Sequence, residues 1–401
     1  PSGFKSQKVY SVLPESGVGD FLFDRSNNTA TRINKDGLIE SVNADIPRLN
    51  YEVNNGVVDS CPHLLIEMNS TNSLTYSNDF SNSAWSKDSS SINTSIGTNG
   101  IQSNVSTSPE GKLNASRVNF TLNSDKDTGL REGVSASSGT THSFSVYVKG
   151  EGSNIGKSID IRVKRSTGGS FVGSDLSVTL TSNWQRAKVN PLTLVTGNSG
   201  VTAIISSNDA TSCLIYGSQM EEGNYSSSYI PTSGSAQTRA SESCTGAGDV
   251  NTFNSVEGIL YAELKRDIAT DNGFRRININ DGSLNNTVRL GYSTVTDEIK
   301  GVVTVGGSTQ CALVFSGLSV TSFRKMALLY KANQFELWVD GSKRAEDTSG
   351  STFSTGTLND LSFEQSNGSD KLRAKVKDVR YYDTDGMSNT EITNLLTQLT
   401  Q

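Results

Sequence analysis

Apolar residues along this chain recur with a period of two in segment after segment. Residues 143–150, SFSVYVKG, place Phe144, Val146 and Val148 on one face and Ser145, Tyr147 and Lys149 on the other. Residues 158–165, SIDIRVKR, repeat the pattern, with Ile159, Ile161 and Val163 opposite Asp160, Arg162 and Lys164. One dry face and one wet face is the signature of antiparallel strands. Further strands are predicted at 215–220, 259–264, 274–279, 287–292 and 325–330. The clearest hairpin runs through residues 335–339, Asp340-Gly341 and the residues from Ser342, because Asp-Gly suits a tight turn with positive φ at both positions. Residues 372–376 alternate strictly and then change phase before Val379 and Tyr381, which predicts a bulge at Lys377-Asp378.

Residues 1–72 read differently. The first 19 form a polar arm. Short strands follow at 20–24, 30–34 and 38–40, with a reversal at Lys35-Asp36-Gly37, and again at 46–49 and 64–67. Strands this short are marginal alone, so this lead-in is expected to pack on a larger domain or on other subunits. Residues 73–230 and 247–385 each read as a sandwich. Between them, 231–246 is a Ser/Gly/Thr-rich linker that follows a break in periodicity at Glu221. Pro231 within it cannot donate to a central ladder. The only helix stands at 386–401, where Ser388 and Glu391 form a capping box and Ile392, Leu395, Leu396 and Leu399 form an apolar stripe. That stripe must be buried on the second sandwich or on a neighbouring subunit. The expected fold class is all-β: two tandem antiparallel β-sandwiches, an extended N-terminal lead-in and a short C-terminal helix.

Composition narrows the partners. The 401 residues carry a net charge of −6, which offers no electrostatic attraction for nucleic acid. The N-terminus shows no apolar segment of a secretory signal, and no apolar run of about 18 residues predicts a membrane span. Cys61, Cys213, Cys244 and Cys311 lack CxxC or metal-ligand spacing. Cys213 and Cys244 flank the joint and are candidates for a bridge, the alternative being four small buried side chains.

No catalytic constellation is legible, and no enzyme is expected. The two histidines, His63 and His142, lack an evident nucleophile, and no GxSxG occurs. Glu221 and Glu222 are adjacent on a strand and point to opposite faces, so they cannot flank a sugar as a pair. Glycan binding is the sharper expectation, because sugars stack on aromatic faces flanked by amides and charges. Residues 184–189, WQRAKV, put Trp184, Arg186 and Lys188 on one face, and Tyr147 also lies on a polar face. If their strands adjoin, Tyr147, Arg162, Trp184 and Arg186 form a glycan platform. The alternative is that Trp184 caps the core edge, or that this face packs on another subunit. Trp85 is expected to anchor a core, and Trp338 to meet either a core or a second covering layer.

Several short motifs resemble a segment of bacteriophage structural proteins. In the lead-in they are Gly19-Asp20-Phe21, Arg25-Ser26, Ala30-Thr31-Arg32, Asp36-Gly37-Leu38-Ile39-Glu40, Pro47-Arg48-Leu49, Leu64-Leu65-Ile66-Glu67 and residues 75–80, followed by Trp85. At the joint they are residues 219–223, QMEEG, residues 228–232, SYIPT, and Thr238-Arg239-Ala240. The middle domain resembles jelly-roll carbohydrate-binding modules. The third resembles laminin-G or concanavalin-like sandwiches, through residues 335–341 and 375–382. The resemblance implies a tail-fibre, baseplate or other appendage protein at the surface of a virion. Its implied partners are other virion proteins, further copies of itself (a trimer before other states) and a host-surface polysaccharide. Modules of this kind often hold a structural calcium ion, although no DxDxDG loop is present and no cofactor is otherwise expected. The alternatives are a secreted or surface bacterial glycan-binding protein and a polysaccharide depolymerase. Motifs at 30–32 and 238–240 further predict that the lead-in returns beside the joint and fixes the two sandwiches relative to each other.

Overall fold

The computed structural model describes residues 3–5, 8–10, 20–54, 56–125, 127–165, 173–269 and 273–401. The chain folds as two antiparallel β-sandwiches with one C-terminal helix. In the first sandwich, Ile101–Thr107, Leu113–Asn119, Ser212–Glu222, Thr141–Lys149 and Gln185–Thr193 make one five-stranded sheet in that spatial order. Ser86–Lys87, Leu130–Ser135, Gly200–Ser206, Ser158–Arg165 and Gly173–Thr179 make the other. The period-two positions close the core between them: Phe144, Val146, Val148, Ile161 and Val163 have no exposed surface. Trp85 anchors the same core, tilted against Phe80 at 5.1 Å, and its indole N–H donates to the Tyr76 carbonyl at 2.8 Å.

The second sandwich is assembled from both ends of the chain. Its larger sheet runs Ser342–Asp347, Gln334–Val339, Arg324–Lys331, Gly258–Lys265, Ala374–Asp383, His63–Ile66 and Leu49–Asn50. The last two strands belong to the lead-in; Leu64 lies opposite Val376 and Ile66 opposite Ala374. Phe21–Asp24 pairs in turn with Ser243–Thr245, placing Phe23 opposite Cys244. The lead-in is therefore part of the C-terminal sandwich rather than a separate segment, and the first sandwich is inserted into it. Residues 231–246 likewise do not form a free linker. Gln237–Arg239 pairs antiparallel with Ser70–Asn72, so the outgoing and returning chains cross side by side. Of the N-terminal arm, Gly3–Lys5 and Lys8–Tyr10 form a hairpin that joins Phe21–Asp24; its other residues lie outside those described.

Local signals appear where the sequence puts them. Asp340 and Gly341 have φ of 47° and 75°, the turn in which both central residues are left-handed. Glu263 pairs with Asp378 and Leu264 with Val376, so Lys377 is the extra residue of a bulge. Ser388 caps the helix Asn389–Thr400, and Glu391 closes the box. Ile392, Leu396 and Leu399 pack on Ile259, Tyr261, Ala327, Leu329 and Trp338, so the helix covers the outer face of its own sandwich and Trp338 lies beneath it.

Leu396 is fully buried in this layer. Leu396→Ala should cost about 2–5 kcal/mol, the range for removing a buried leucine side chain. Denaturant unfolding followed by tryptophan fluorescence in a chain whose Trp85 and Trp184 are replaced by phenylalanine, or by far-UV circular dichroism, measures it, and a cost within ~0.5 kcal/mol of zero, as for a surface site, would refute the docking.

Candidate functional site

The place where the lead-in, the joint and both sandwiches meet is built from charges. Arg25 follows strand Phe21–Asp24, Arg48 precedes Leu49–Asn50, Glu67 follows His63–Ile66, and Glu242 precedes Ser243–Thr245. Arg239 ends Gln237–Arg239, and Glu221 is the penultimate residue of Ser212–Glu222. Each stands at or beside a strand end, where the chain turns and its side chain points into the junction. None of the six is more than 2% exposed.

Their hydrogen bonds form a closed circuit. Arg25 and Arg48 both donate to Glu242, at 2.8 Å and 2.7 Å, and Arg48 makes a second contact to its other oxygen. Arg48 also reaches Glu67 at 2.9 Å, and Arg239 reaches the same carboxylate at 3.3 Å. Ser228 donates to Glu67 through its backbone N–H at 2.9 Å and its hydroxyl at 2.6 Å. Ser227 donates through both groups to Glu221, which also accepts from Ser70 at 2.6 Å. Three guanidiniums thus share two carboxylates, Glu242 and Glu67, and Glu221 joins them through Ser227, whose hydroxyl also accepts from Arg239 at 3.0 Å. Burial alone would raise the Glu67 carboxyl, but Arg239 and Arg48 outweigh it and hold it well below the usual carboxylate range.

Amides and aromatic rings complete the junction. Asn72 donates to the carbonyls of Ser218 and Ile230, bridging the strand to the returning chain. Thr31 donates to the Tyr229 carbonyl, and Asn27 and Thr29 donate to that of Thr238. The lead-in therefore does return beside the joint. Tyr229 packs on Tyr216 and Tyr147, with ring centroids 5.9 Å and 6.5 Å away. Gly217, at φ +63°, makes room for them: a Cβ there would meet the Tyr147 ring at 3.1 Å and the Tyr229 ring at 3.3 Å.

A cleft of about 110 Å³ opens here, lined by Thr31, Ile33, Tyr147, Arg186, Lys188, Ser228, Asp267 and Lys375 among others. Lys375 pairs with Asp267 at 3.0 Å and with Glu52 at 2.9 Å, and Lys265 holds the other Glu52 oxygen at 2.9 Å. Burial opposes the charged form of Glu52, yet Lys375 and Lys265 pull its carboxyl down to about 2. The cleft is far smaller than the ~300–1,000 Å³ of ordinary ligand pockets. Lys375 and Asp267 are paired, Arg186 is held by Ser227 and Ser145, and Lys188 reaches the Ser226 carbonyl at 3.2 Å, so it is the small size of the cleft that suits it to ordered water rather than to a saccharide chain.

The glycan platform expected from the sequence is not formed. Tyr147 and Arg186 are ladder partners, the guanidinium lying 5.4 Å from the ring centre. Arg186 is committed to the Ser227 carbonyl at 2.7 Å and the Ser145 hydroxyl at 2.9 Å. Trp184 joins Tyr147 in a cluster with Ile33 and Ile39 of the lead-in, and its indole donates to the Thr107 carbonyl at 2.9 Å. All three are half-buried, covered by the protein's own lead-in. Arg162 is elsewhere: its strand lies in the opposite sheet, where the side chain pairs with Asp160 at 2.6 Å and reaches Ser206. Alternation places a residue on a face without saying which sheet carries that face.

The remaining candidates are also placed. Glu221 is buried and Glu222 exposed, as adjacent strand positions require. His63 is fully buried, its Nε2 3.1 Å from the Asn50 amide nitrogen, and burial, aided by Lys375, pulls its pKa down to about 3. His142 meets the Thr140 hydroxyl at 2.8 Å. Cys213 and Cys244 do not bridge; each thiol is free and buried in the core of a different sandwich. Among the described residues, no three His, Cys, Asp or Glu side chains converge as metal ligands, and no helix is long and apolar enough to cross a membrane. The network itself was missed as chemistry. Its one signal is a charge set among apolar neighbours at a strand end, as in Pro47-Arg48-Leu49 and Leu65-Ile66-Glu67.

No family model matches the chain, and no curated protein sequence matches it. Among solved structures, it is similar to domain 4 of AbnA, a GH43 extracellular arabinanase from Geobacillus stearothermophilus in complex with arabinotriose. The identity is 11% over 40% of this chain and 73% of that one, with a TM-score of 0.29. It is similar to domains LG4-5 of the mouse laminin α1 chain, at 9% identity, 61% and 83% coverage and a TM-score of 0.25. It is also similar to the N-terminal CBM22-1–CBM22-2 tandem domain of Paenibacillus barcinonensis Xyn10C, at 11% identity, 78% and 97% coverage and a TM-score of 0.27.

Two outcomes follow from the buried circuit. Glu242→Ala leaves Arg25 and Arg48 without their shared acceptor and should destabilise the fold by about 3–5 kcal/mol, measured by denaturant titration; a loss under ~1 kcal/mol, as for a surface pair, would contradict the circuit. Glu67 has a lowered folded pKa, so its contribution is complete above the ordinary glutamate value of 4.5 and is lost as pH falls through the folded value. Unfolding midpoints should therefore drop with acidification below about pH 4.5, and Glu67→Gln should flatten part of that slope.

Proposed function

We propose that this chain is a structural module of a bacteriophage appendage, a rigid carrier that presents two β-sandwiches in one fixed relation to a host surface. One observation carries the reading. Six of the residues through which the sequence resembles phage structural proteins, scattered from Arg25 to Arg239, lie in a single network that Glu242 completes: Arg25, Arg48, Glu67, Glu221, Ser228 and Arg239. A motif set that meets in space as one device behaves as a structural unit, not as a coincidence of composition.

On this reading the protein works by holding and contacting rather than by catalysis. Its partners are other virion proteins, further copies of itself (a trimer before other states) and a host-surface polysaccharide. Glycan contact falls to outer sheet faces away from the junction, because the lead-in occupies the face around Tyr147 and Trp184. A secreted or surface bacterial glycan-binding protein is the competing assignment.

Antibody raised against the recombinant chain should label the appendages of purified particles by immunoelectron microscopy and should block their adsorption. Labelling confined to the bacterial cell envelope would overturn the virion assignment. Light scattering of the purified protein should give a mass of about three chains; a concentration-independent monomer would remove the self-assembly.

A further inference from the structure

The smaller sheet of the C-terminal sandwich runs Ser308–Ser316, Glu298–Val305, Thr287–Tyr292, Arg275–Asn280 and Asp360–Ser362. Ile277, Ile279, Val288 and Leu290 face the core, so Arg276, Asn278 and Arg289 stand on the outer face. Asn278 sits in the ladder between Arg289 and Ser362. It is 1% exposed, yet its Oδ1 and Nδ2 both lack a hydrogen-bond partner. The Nε atoms of Arg276 and Arg289 are buried and unpartnered as well. Buried polar groups are nearly always bonded, since an unmade bond costs the desolvation of the group. Unpartnered arginine Nε atoms recur elsewhere in the molecule, but a carboxamide with both its atoms orphaned marks a place that something else completes.

The charge there is lopsided. Arg276, Gly291 and Lys300 form one row across three strands, and the Arg276 stem lies close over the glycine, where a Cβ would meet its Cγ at 3.2 Å. The Arg276 guanidinium lies 4.0 Å from the Phe274 ring centre, and the Lys300 ammonium 5.9 Å from it. Asp370 approaches Arg276 at 3.4 Å and also accepts from Gln365. Arg276 thus has Asp370 as its counter-charge, while Asp360, on the same face, is taken up by Asn280 and Ser362, in a chain whose net charge is −6. Burial first, then the neighbouring Arg289, pulls the Arg276 guanidinium down to about 10, as expected of cations crowded without enough counter-charge.

We propose that this outer face binds an anionic saccharide, its carboxylate or sulfate held by Arg276 and Arg289 and an adjacent hydroxyl by the Asn278 carboxamide. Planar guanidiniums match the oxygens of either anion in pairs. A carboxamide offers one donor and one acceptor, which suits a sugar hydroxyl that needs both. Phe274 and the exposed Val314 supply apolar surface for the C–H side of a pyranose ring. The overall negative charge disfavours a polynucleotide as the anion. The inference rests on the glycan-contact half of the proposed function and is independent of the particle assignment, which immunolabelling tests separately.

The test is calorimetric titration of the full chain with polygalacturonate, dextran sulfate, neutral dextran and sodium sulfate. Both polyanionic saccharides or one of them should bind, with affinity falling as salt rises, and neutral dextran should not. Preference for polygalacturonate or for dextran sulfate distinguishes a carboxylate from a sulfate as the natural group. Arg289→Gln and Lys300→Gln, at half-exposed positions that should leave thermal melting unchanged, should each weaken binding, Arg289→Gln by about tenfold or more, the loss of one charge-assisted bond. Asn278→Ala should weaken it further in combination. Binding unaffected by both single variants, equal binding of neutral dextran, no binding of either polyanion, or equal affinity for free sulfate would each overturn the proposal.

Discussion

Three arginines and three glutamates, all nearly without exposed surface, are the constraint on which this fold depends. Placing one such charge in a protein interior is strongly unfavourable, and attraction offsets that cost only where every partner is in place. Here each carboxylate takes donors from two or more chain segments, and the guanidiniums of Arg25, Arg48 and Arg239 also hold the lead-in carbonyls of Ile46, Thr31 and Met68, with Arg48 and Arg239 reaching Ser228 and Ser227 of the joint. A shift of any one segment by a single residue would strand a buried charge. The network therefore acts chiefly as a selector of arrangement, disfavouring every register but one.

The discontinuous architecture follows from that selection. The C-terminal sandwich takes strands from residues 20–66 and from 243–383, and the first sandwich leaves and re-enters through the paired segments Ser70–Asn72 and Gln237–Arg239. An insertion tethered by two adjacent crossings would swing freely if nothing else held it. The buried charges, the Asn72 amide and the tyrosine cluster around Gly217 remove that freedom. The face that resembles a sugar platform in the sequence is thereby consumed as an internal contact, and outer faces elsewhere are left for ligands.

Periodicity made much of this readable in advance. Strictly alternating strands such as Thr141–Lys149 and Ser158–Arg165, the Asp340-Gly341 hairpin, the bulge at Lys377 and the capped helix each carry a local signal that tertiary structure respects, whereas Ile101–Thr107, Leu113–Asn119 and Gly173–Thr179 lack so clear an alternation. The sheet to which a short strand belongs does not. His63–Ile66 is four residues long, and Leu65 pairs with Lys375, a partner at the far end of the chain. Arg162 shows the same gap: its face was legible, its sheet was not. Cys213 and Cys244 flank the joint in sequence but point into separate cores. Buried arginines were hidden for a different reason, because a charged letter beside a turn ordinarily reads as solvated surface.

The central claim is that buried charges fix the two sandwiches in one orientation. Spin labels at Thr196→Cys on the first sandwich and Thr348→Cys on the second, both exposed, with the exposed Cys61 replaced by serine, allow the distance between them to be measured by double electron–electron resonance. The account predicts one narrow distance distribution for the otherwise unaltered chain and a broad or displaced one when Arg48→Met is added. A broad distribution without that change, or an unaltered narrow one with it, would contradict the claim.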